Sequence, residues 1–556
     1  MPSLSMESSM PPKEVLNKQG DGDLVKENAS QAKDNNEPAV TEKTSTDSPE
    51  YPYTVFNLRE KYMIAIICGI SGFWSAVSNN IYFPIIYTIE NKFHVTEELA
   101  NVSVVLYFLL QGIAPMFSAS MADSIGRKPV VIFCCGVFVI ACACIGDSNV
   151  YWLILVLRCV QAAGIAPVIA INSGICADLA PRSKRASLIG FTSGIQLLAQ
   201  SIGALLGGVL ASGFHSWRAI FWFLSIGGGV TMILSFFILP ETKRSIVGNG
   251  SIPPKKFINK SPIWLVPHFK KKLTNDIETL ELNTAQSLLS KLFDVPKIVT
   301  NIDVICVLIP ASFYYTTWTM MFTSLSTTLQ EVRGYSVLRV GLCFLAPGIA
   351  GTIGSFANGK ILDWYYKKCH QKYREQLSEW EAKYGNDSSS SNSMIHDDTN
   401  VIPAKPQFSI FKVRLAMLFP CSILFISGLL IFSWCLEKNA PLAPVLIGTF
   451  LTSLVNAPYV GSSMNLLADM YPDKTSTGAA CVNLSRCLMA ACGVAALSRM
   501  QDAMGIGGCF TLMAGFCGLS LIPLWIVTCH GQRWLDERIE KERLAEEKKQ
   551  DITEKV

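Results

Sequence analysis

Residues 119–128 read Ala119-Ser120-Met121-Ala122-Asp123-Ser124-Ile125-Gly126-Arg127-Lys128. An acid, a turn glycine and a basic pair sit between two long apolar stretches. A weaker copy lies in the second half: Gly359-Lys360-Ile361-Leu362-Asp363-Trp364-Tyr365-Tyr366-Lys367-Lys368. In both, an apolar helix ends in an acid, and a pair of cations begins four residues later. One helix–loop device occurring in both halves points to a duplicated membrane bundle.

Composition agrees. Hydrophobic residues make up 50% of the chain and charged residues 16%, against about 25% charged in a soluble domain. Apolar runs of roughly 20 residues, long enough to cross a bilayer, fall near 62–88, 99–120, 130–147, 150–179, 187–213 and 218–239. A second set falls near 303–327, 337–362, 412–435, 441–469, 477–500 and 506–529. The expected fold is an all-α membrane protein, with twelve transmembrane helices in two pseudo-symmetric six-helix bundles at 56–240 and 303–530.

Lys and Arg in the short loops set orientation. Arg127 and Lys128 occupy one loop, and Arg182, Lys184 and Arg185 another. The alternate loops, 89–98 and 148–149, carry only Lys92. The basic loops are therefore expected on the cytoplasmic side, with both termini, the central loop 241–302 and the loop 363–411. The net charge of +4 follows from this topology, and no nucleic-acid partner is inferred from it. Residues 1–55 read as a disordered polar tail. No cleavable signal peptide is visible. Residues 275–293 alternate apolar and polar groups at helical spacing, as in a helix lying on a membrane face, and 531–556 read as a charged C-terminal helix. The 18 cysteines are scattered through apolar spans and read as small buried hydrophobes. None pairs with histidine at a metal-ligand spacing, so no metal or cofactor is expected.

A second repeat supports duplication. The fourth span ends Cys176-Ala177-Asp178-Leu179-Ala180-Pro181, and the tenth ends Leu467-Ala468-Asp469-Met470-Tyr471-Pro472. The proline ends each helix and leaves the acid one turn inside.

These motifs resemble the major facilitator superfamily over about residues 55–530. Its loop pattern, Gly-x-x-x-Asp-x-x-Gly-Arg-Lys, is matched here by Asp123, Gly126, Arg127 and Lys128, with Ala119 at the first glycine. The second copy keeps Gly359 and Asp363 but has Tyr366 at the turn glycine. The resemblance implies a gating role for these residues. Arg158-Cys159-Val160-Gln161-Ala162 is similar to the Arg-x-x-Gln-Gly signature of the twelve-helix drug:proton antiporters. Gly203-Ala204-Leu205-Leu206-Gly207-Gly208 is similar to their Gly-Pro-x-x-Gly-Gly motif, with Ala204 for the proline. Its glycines permit close helix approach. Leu239-Pro240-Glu241-Thr242-Lys243-Arg244 and the residues after it resemble the fungal quinidine-resistance branch. That branch implies proton-driven export of drugs, weak acids, polyamines, amino acids or a dityrosine precursor. It also implies a plasma-membrane location, with vacuolar or spore membranes as alternatives, and a monomer working on small molecules and protons within a lipid bilayer.

An arginine at mid-bilayer costs ~2.5–3.5 kcal/mol on insertion scales. Arg158 and Arg486 occupy such positions and are expected to face a central cavity. Asn483 shares the face of Arg486. Gln196 and Gln200 share the face of Gly203 and Gly207. Asn79 and Asn80 interrupt the first span, and Gln111 lies within the second. Tyr314 and Trp318 share one face of the seventh span, and Asn456 and Tyr459 one face of the tenth. With Gln161, these form the expected substrate cavity, although interhelical hydrogen bonds explain each one equally well. No Asp, Glu or His lies mid-span. Asp178, Asp123 and Arg158 are therefore the candidates for proton coupling, which needs a group that changes charge. Two buried cations without a central acid favour a substrate bearing a carboxylate. An uncoupled facilitator or importer of the same fold, or a membrane sensor, remain as rivals. No nucleophile–base constellation points to an enzyme.

Overall fold

The computed structural model describes residues 53–180, 182–254, 256–270, 272, 294–384, 408–471 and 475–554. The expectations for the N-terminal tail up to residue 52 and for a surface helix at 275–293 lie outside the described residues. Among those described there is no strand.

The first half contains α1 (Leu58–Asn80), α2 (Glu97–Ile125), α3 (Arg127–Asp147), α4 (Tyr151–Leu179), α5 (Arg182–Gly213) and α6 (Arg218–Ile238). The second contains α7 (Ile302–Glu331), α8 (Leu345–Tyr384), α9 (Leu418–Glu437) and α10 (Leu442–Met470). Thr475–Leu519 then turns back at Gly505, whose φ of 74° an L side chain rarely adopts. This divides it into α11 (475–504) and the start of α12, which continues as Leu521–Glu554.

Among the described residues, ten helices are long and apolar enough to cross a membrane. The last of these, Thr477–Lys541, has 65 residues. At 1.5 Å per residue it would reach about 98 Å if straight, against a hydrocarbon core of about 30 Å. The turn at Gly505 makes it two spans. The twelfth is α5, whose apolar end is Ile202–Gly213.

Local chemistry sets the helix ends. Thr96 Oγ1 accepts from Leu99 N at the start of α2. Glu60 accepts from Asn57 N (2.8 Å) in the first turn of α1. Pro84 interrupts α1 with a 3-10 turn at Phe83–Ile85. The carbonyls of Phe83 and Pro84 also accept from α7, where Ser326 Oγ and Gln330 Nε2 donate to them.

One expectation needs correction. Residue 363 does not begin a loop, because α8 runs on to Tyr384. No glycine or proline falls between Gly359 and Gly385, and pairs such as Gln371–Glu375 support the extension. The second-half copy of the loop motif therefore sits within a continuous helix.

The two halves meet through α2 against α11 and α5 against α8. Asn483 Nδ2 donates to the Gln111 carbonyl (2.8 Å), and Arg499 pairs with Glu98 (2.9 Å). The Arg499–Glu98 pair and the bonds from α7 to the Phe83 and Pro84 carbonyls lie toward the expected extracellular end, and the Asn483–Gln111 bond lies near mid-span. Three glycines let α5 make two of its contacts. A Cβ at Gly203 would lie 3.1 Å from Asn80 Cβ, and one at Gly207 would strike the Ile81 carbonyl of α1. A Cβ at Gly208 would lie 2.9 Å from the Val337 carbonyl across the half-to-half boundary. Gly213, by contrast, has open space around it. Gly207→Val should therefore destabilise the detergent-purified protein by about 1–3 kcal/mol, the usual cost of overpacking, while Gly213→Ala leaves thermal unfolding unchanged. Equal melting curves for the two would contradict the packing described.

Candidate functional site

Arg158 of α4 is 1% exposed. Its Nη1 donates to Gln161 Oε1 (2.7 Å), one turn further along α4. Its guanidinium carbon lies 4.1 Å from the ring centre of Tyr82 and 4.3 Å from that of Tyr107. Its Nε is buried without a hydrogen-bond partner. A cation taken out of water is thus held by one amide and two aromatic faces rather than by a carboxylate. Gln161 donates in turn to Cys142 Sγ (3.1 Å).

Arg486 of α11 repeats the arrangement from the other half. Its Nη2 and Nε donate to Asn483 Oδ1 (2.8 and 3.2 Å), and its guanidinium lies 4.8 Å from the Tyr315 ring centre. Tyr315 lies beside Asn79 of α1 and packs edge-on against Phe108 of α2 (6.1 Å). The Gln111 carbonyl receives Asn483, and its Oε1 is buried without a partner. Asn79, Gln111, Tyr315, Asn483 and Arg486 thus form one cluster spanning both halves.

Other sequence-selected residues lie elsewhere. Tyr314 stacks on Tyr459 (3.8 Å, 11°) and against Phe425, within the second half between α7, α9 and α10. Tyr459 also bonds Ser422 and the Leu418 carbonyl (3.2 Å). Trp318 Nε1 donates to Ser453 of α10 (2.9 Å), and Asn456 Oδ1 is buried without a partner. Asn80 is buried where α5 crosses α1, and Gln196 Nε2 fills the space beside Gly72 of α1. The side chains of Gln200, Asp123 and Asp363 lie outside the described residues.

At the expected cytoplasmic end, each half carries one ion pair between its third and fourth helices. Arg127 meets Asp178 (3.4 Å), and Arg414, just before α9, meets Asp469 (2.9 Å). Gly126 makes the α2–α3 turn at φ 125°. Glu241, 1% exposed, caps the start of α3, accepting from Arg127 N (2.9 Å) and Lys128 N (3.3 Å). It also accepts from Thr242 N and Lys243 N (3.0 Å each). A carboxylate at a helix N-terminus meets both unpaired amides and the positive end of the dipole. Lys128 Nζ donates to the Lys260 carbonyl (2.9 Å).

Tyr82, Tyr107, Tyr315, Arg414 and the capping role of Glu241 are not among the residues expected from sequence. The aromatics are ordinary residues of apolar spans by composition. Only their position over a guanidinium distinguishes them. Glu241 did carry a signal, as an acid directly after the proline that ends α6.

Residues 68–370 match the family model "Major Facilitator Superfamily". The chain is 42% identical to the MFS antiporter QDR2 of Candida albicans, over 84% of this chain and 88% of that one. It is 38% identical to quinidine resistance protein 1 of Saccharomyces cerevisiae, over 88% and 86%. The xylose transporter XylE from E. coli, in a partially occluded inward-open conformation, shares the fold with a TM-score of 0.57. It is 12% identical, over 84% of this chain and 97% of that one.

The cap predicts a graded response. Glu241→Ala should cost about 0.5–2 kcal/mol, as for lost helix caps generally, and Glu241→Gln distinctly less, since an amide oxygen still accepts. Thermal unfolding of the purified protein reads both. A Gln variant as unstable as the Ala variant would remove the capping explanation.

Proposed function

Because this chain belongs to the major facilitator superfamily, within its fungal quinidine-resistance branch, we propose that it is a proton-coupled antiporter exporting small amphipathic solutes by alternating access. The observation that carries this reading is the pair of intramembrane arginines, buried Arg158 in the first half and partly buried Arg486 in the second, with amide and tyrosine partners and no carboxylate among the described residues. Contacts at the expected extracellular end support a conformation shut on that side, and this reading takes the cytoplasm as the side from which cargo enters. Rocking about the α2–α11 and α5–α8 contacts would turn it outward. The reading places the protein in the plasma membrane as a monomer, with both termini cytoplasmic.

The arginines also define the cargo. A guanidinium offers a planar fork of donors that matches a carboxylate, and Arg158 keeps one donor unused. We assign a weak organic acid or amino acid as preferred cargo over a purely cationic drug. Proton coupling rests with Asp178, which sits with Arg127 where the α2–α3 loop moves, together with Arg158 and Asp123.

A second reading is an uncoupled facilitator. It is favoured by the lack of a mid-span acid among the described residues and by Ala204 in place of the proline of the twelve-helix antiporter motif. Protein in liposomes with an imposed proton gradient separates the two. The expected outcome is gradient-driven accumulation of an aromatic carboxylic acid, exceeding that of a polyamine or cationic drug and lost in Asp178→Asn and Arg158→Ala. Movement that merely equilibrates, whatever the gradient, would establish the facilitator instead.

A further inference from the structure

The segment after α6 reads Pro254-Lys255-Lys256-Phe257-Ile258-Asn259-Lys260-Ser261-Pro262-Ile263-Trp264-Leu265-Val266-Pro267-His268-Phe269-Lys270. It contains lysines and no acid. Its backbone makes two short 3-10 turns, Phe257–Asn259 and Pro262–Leu265. Each turn divides its side chains between two faces. Asn259, Ser261 and Ile263 are buried, at 1%, 5% and 9% exposure. Asn259 Nδ2 donates to the Ile125 carbonyl ending α2 (3.1 Å), and Ser261 Oγ to the Phe237 carbonyl near the end of α6 (3.3 Å). Trp264 turns inward against Phe56 (6.1 Å) and Phe269 (6.2 Å).

The other face is uncovered. Phe257 is 86% exposed, Leu265 82% and Ile258 65%, and Lys256, Lys260 and Lys270 are exposed beside them. Large apolar side chains on a rigid, polar-anchored segment are costly in water. These sit where α2, α3 and α6 leave the bilayer. The anchoring bond to Phe237 joins the segment to a lipid-facing stretch of α6, in which Phe236 and Phe237 are themselves about half exposed. Apolar residues at this level, flanked by cations, have the composition of an interfacial membrane anchor.

We propose that residues 256–270 form a membrane-surface strap, which inserts Phe257, Ile258 and Leu265 into the cytoplasmic leaflet and pairs its lysines with anionic phospholipid headgroups. Anionic lipid is the fitting occupant because the patch is cationic throughout and continuous with the bilayer-facing surface of α6. The strap is tied to the α2–α3 loop through Lys128 and Asn259, so lipid binding there would also fix the loop that must move in transport.

The test uses the full chain in nanodiscs of phosphatidylcholine alone or mixed with phosphatidylserine. Hydrogen–deuterium exchange is followed over residues 256–266. Exchange should be slower in the phosphatidylserine discs. Lys256→Gln, at an exposed position, should remove about fivefold of that difference, the equivalent of ~1 kcal/mol per surface cation. Phe257→Ser with Leu265→Ser should abolish protection in both lipids while exchange over α3 stays unchanged. Wild-type exchange indifferent to phosphatidylserine, or a serine variant as protected as the wild type, would overturn the proposal.

Discussion

A guanidinium buried in a bilayer without a carboxylate is the constraint on which the rest of this molecule turns. Arg158 has left water at a cost of several kcal/mol and recovers it from Gln161 and the faces of Tyr82 and Tyr107. These partners come from three segments, so α1, α2 and α4 must be held in register for the charge to be tolerated. An acid beside the arginine would have satisfied it completely and left nothing for cargo. Aromatic faces and an amide stabilise the cation yet leave donor capacity open, the condition a binding group must meet to release what it binds.

The same logic is duplicated with small changes. Each half closes its cytoplasmic end with an ion pair between its third and fourth helices, Arg127–Asp178 and Arg414–Asp469. Each also pairs an acid in the first turn of its first helix with a cation from its own C-terminal end, after α6 in the first half and in the extension of α12 in the second. Glu60 meets Lys272 (2.6 Å), and Asp303 meets Arg538 (2.7 Å). Partly buried pairs of this kind define geometry more than they add stability. They make each half a rigid body, so motion concentrates where the halves touch. There the contacts are small residues, hydrogen bonds to the carbonyls around Pro84, and the Asn483–Gln111 link.

Most of the long apolar helices were legible in the sequence, because a bilayer demands long apolar runs. The two arginines were legible for the same reason, as charges where charge is costly. The partners of Arg158 were not, since Tyr82 and Tyr107 are distant in sequence and only tertiary packing brings them over one guanidinium. Repetition also misled at one point. Lys367 and Lys368 imitate the basic pair after Asp123, but with no glycine to turn the chain, α8 continues through them. Arg414, outside the repeat, is the cation that meets Asp469. Tyr314 and Tyr459 share faces with polar neighbours, but stacking on each other places them inside the second half.

The most direct measurement is equilibrium binding of a radiolabelled aromatic carboxylate to detergent-purified protein, compared with its Arg158→Gln and Arg486→Gln variants. If the guanidinium groups receive the cargo, each substitution should weaken binding at least tenfold, in line with the ~1.5–3 kcal/mol of a hydrogen bond to a charged group. A cationic drug should bind as well as before, or better. Undiminished carboxylate binding in both variants would contradict the account and leave the arginines as structural groups alone.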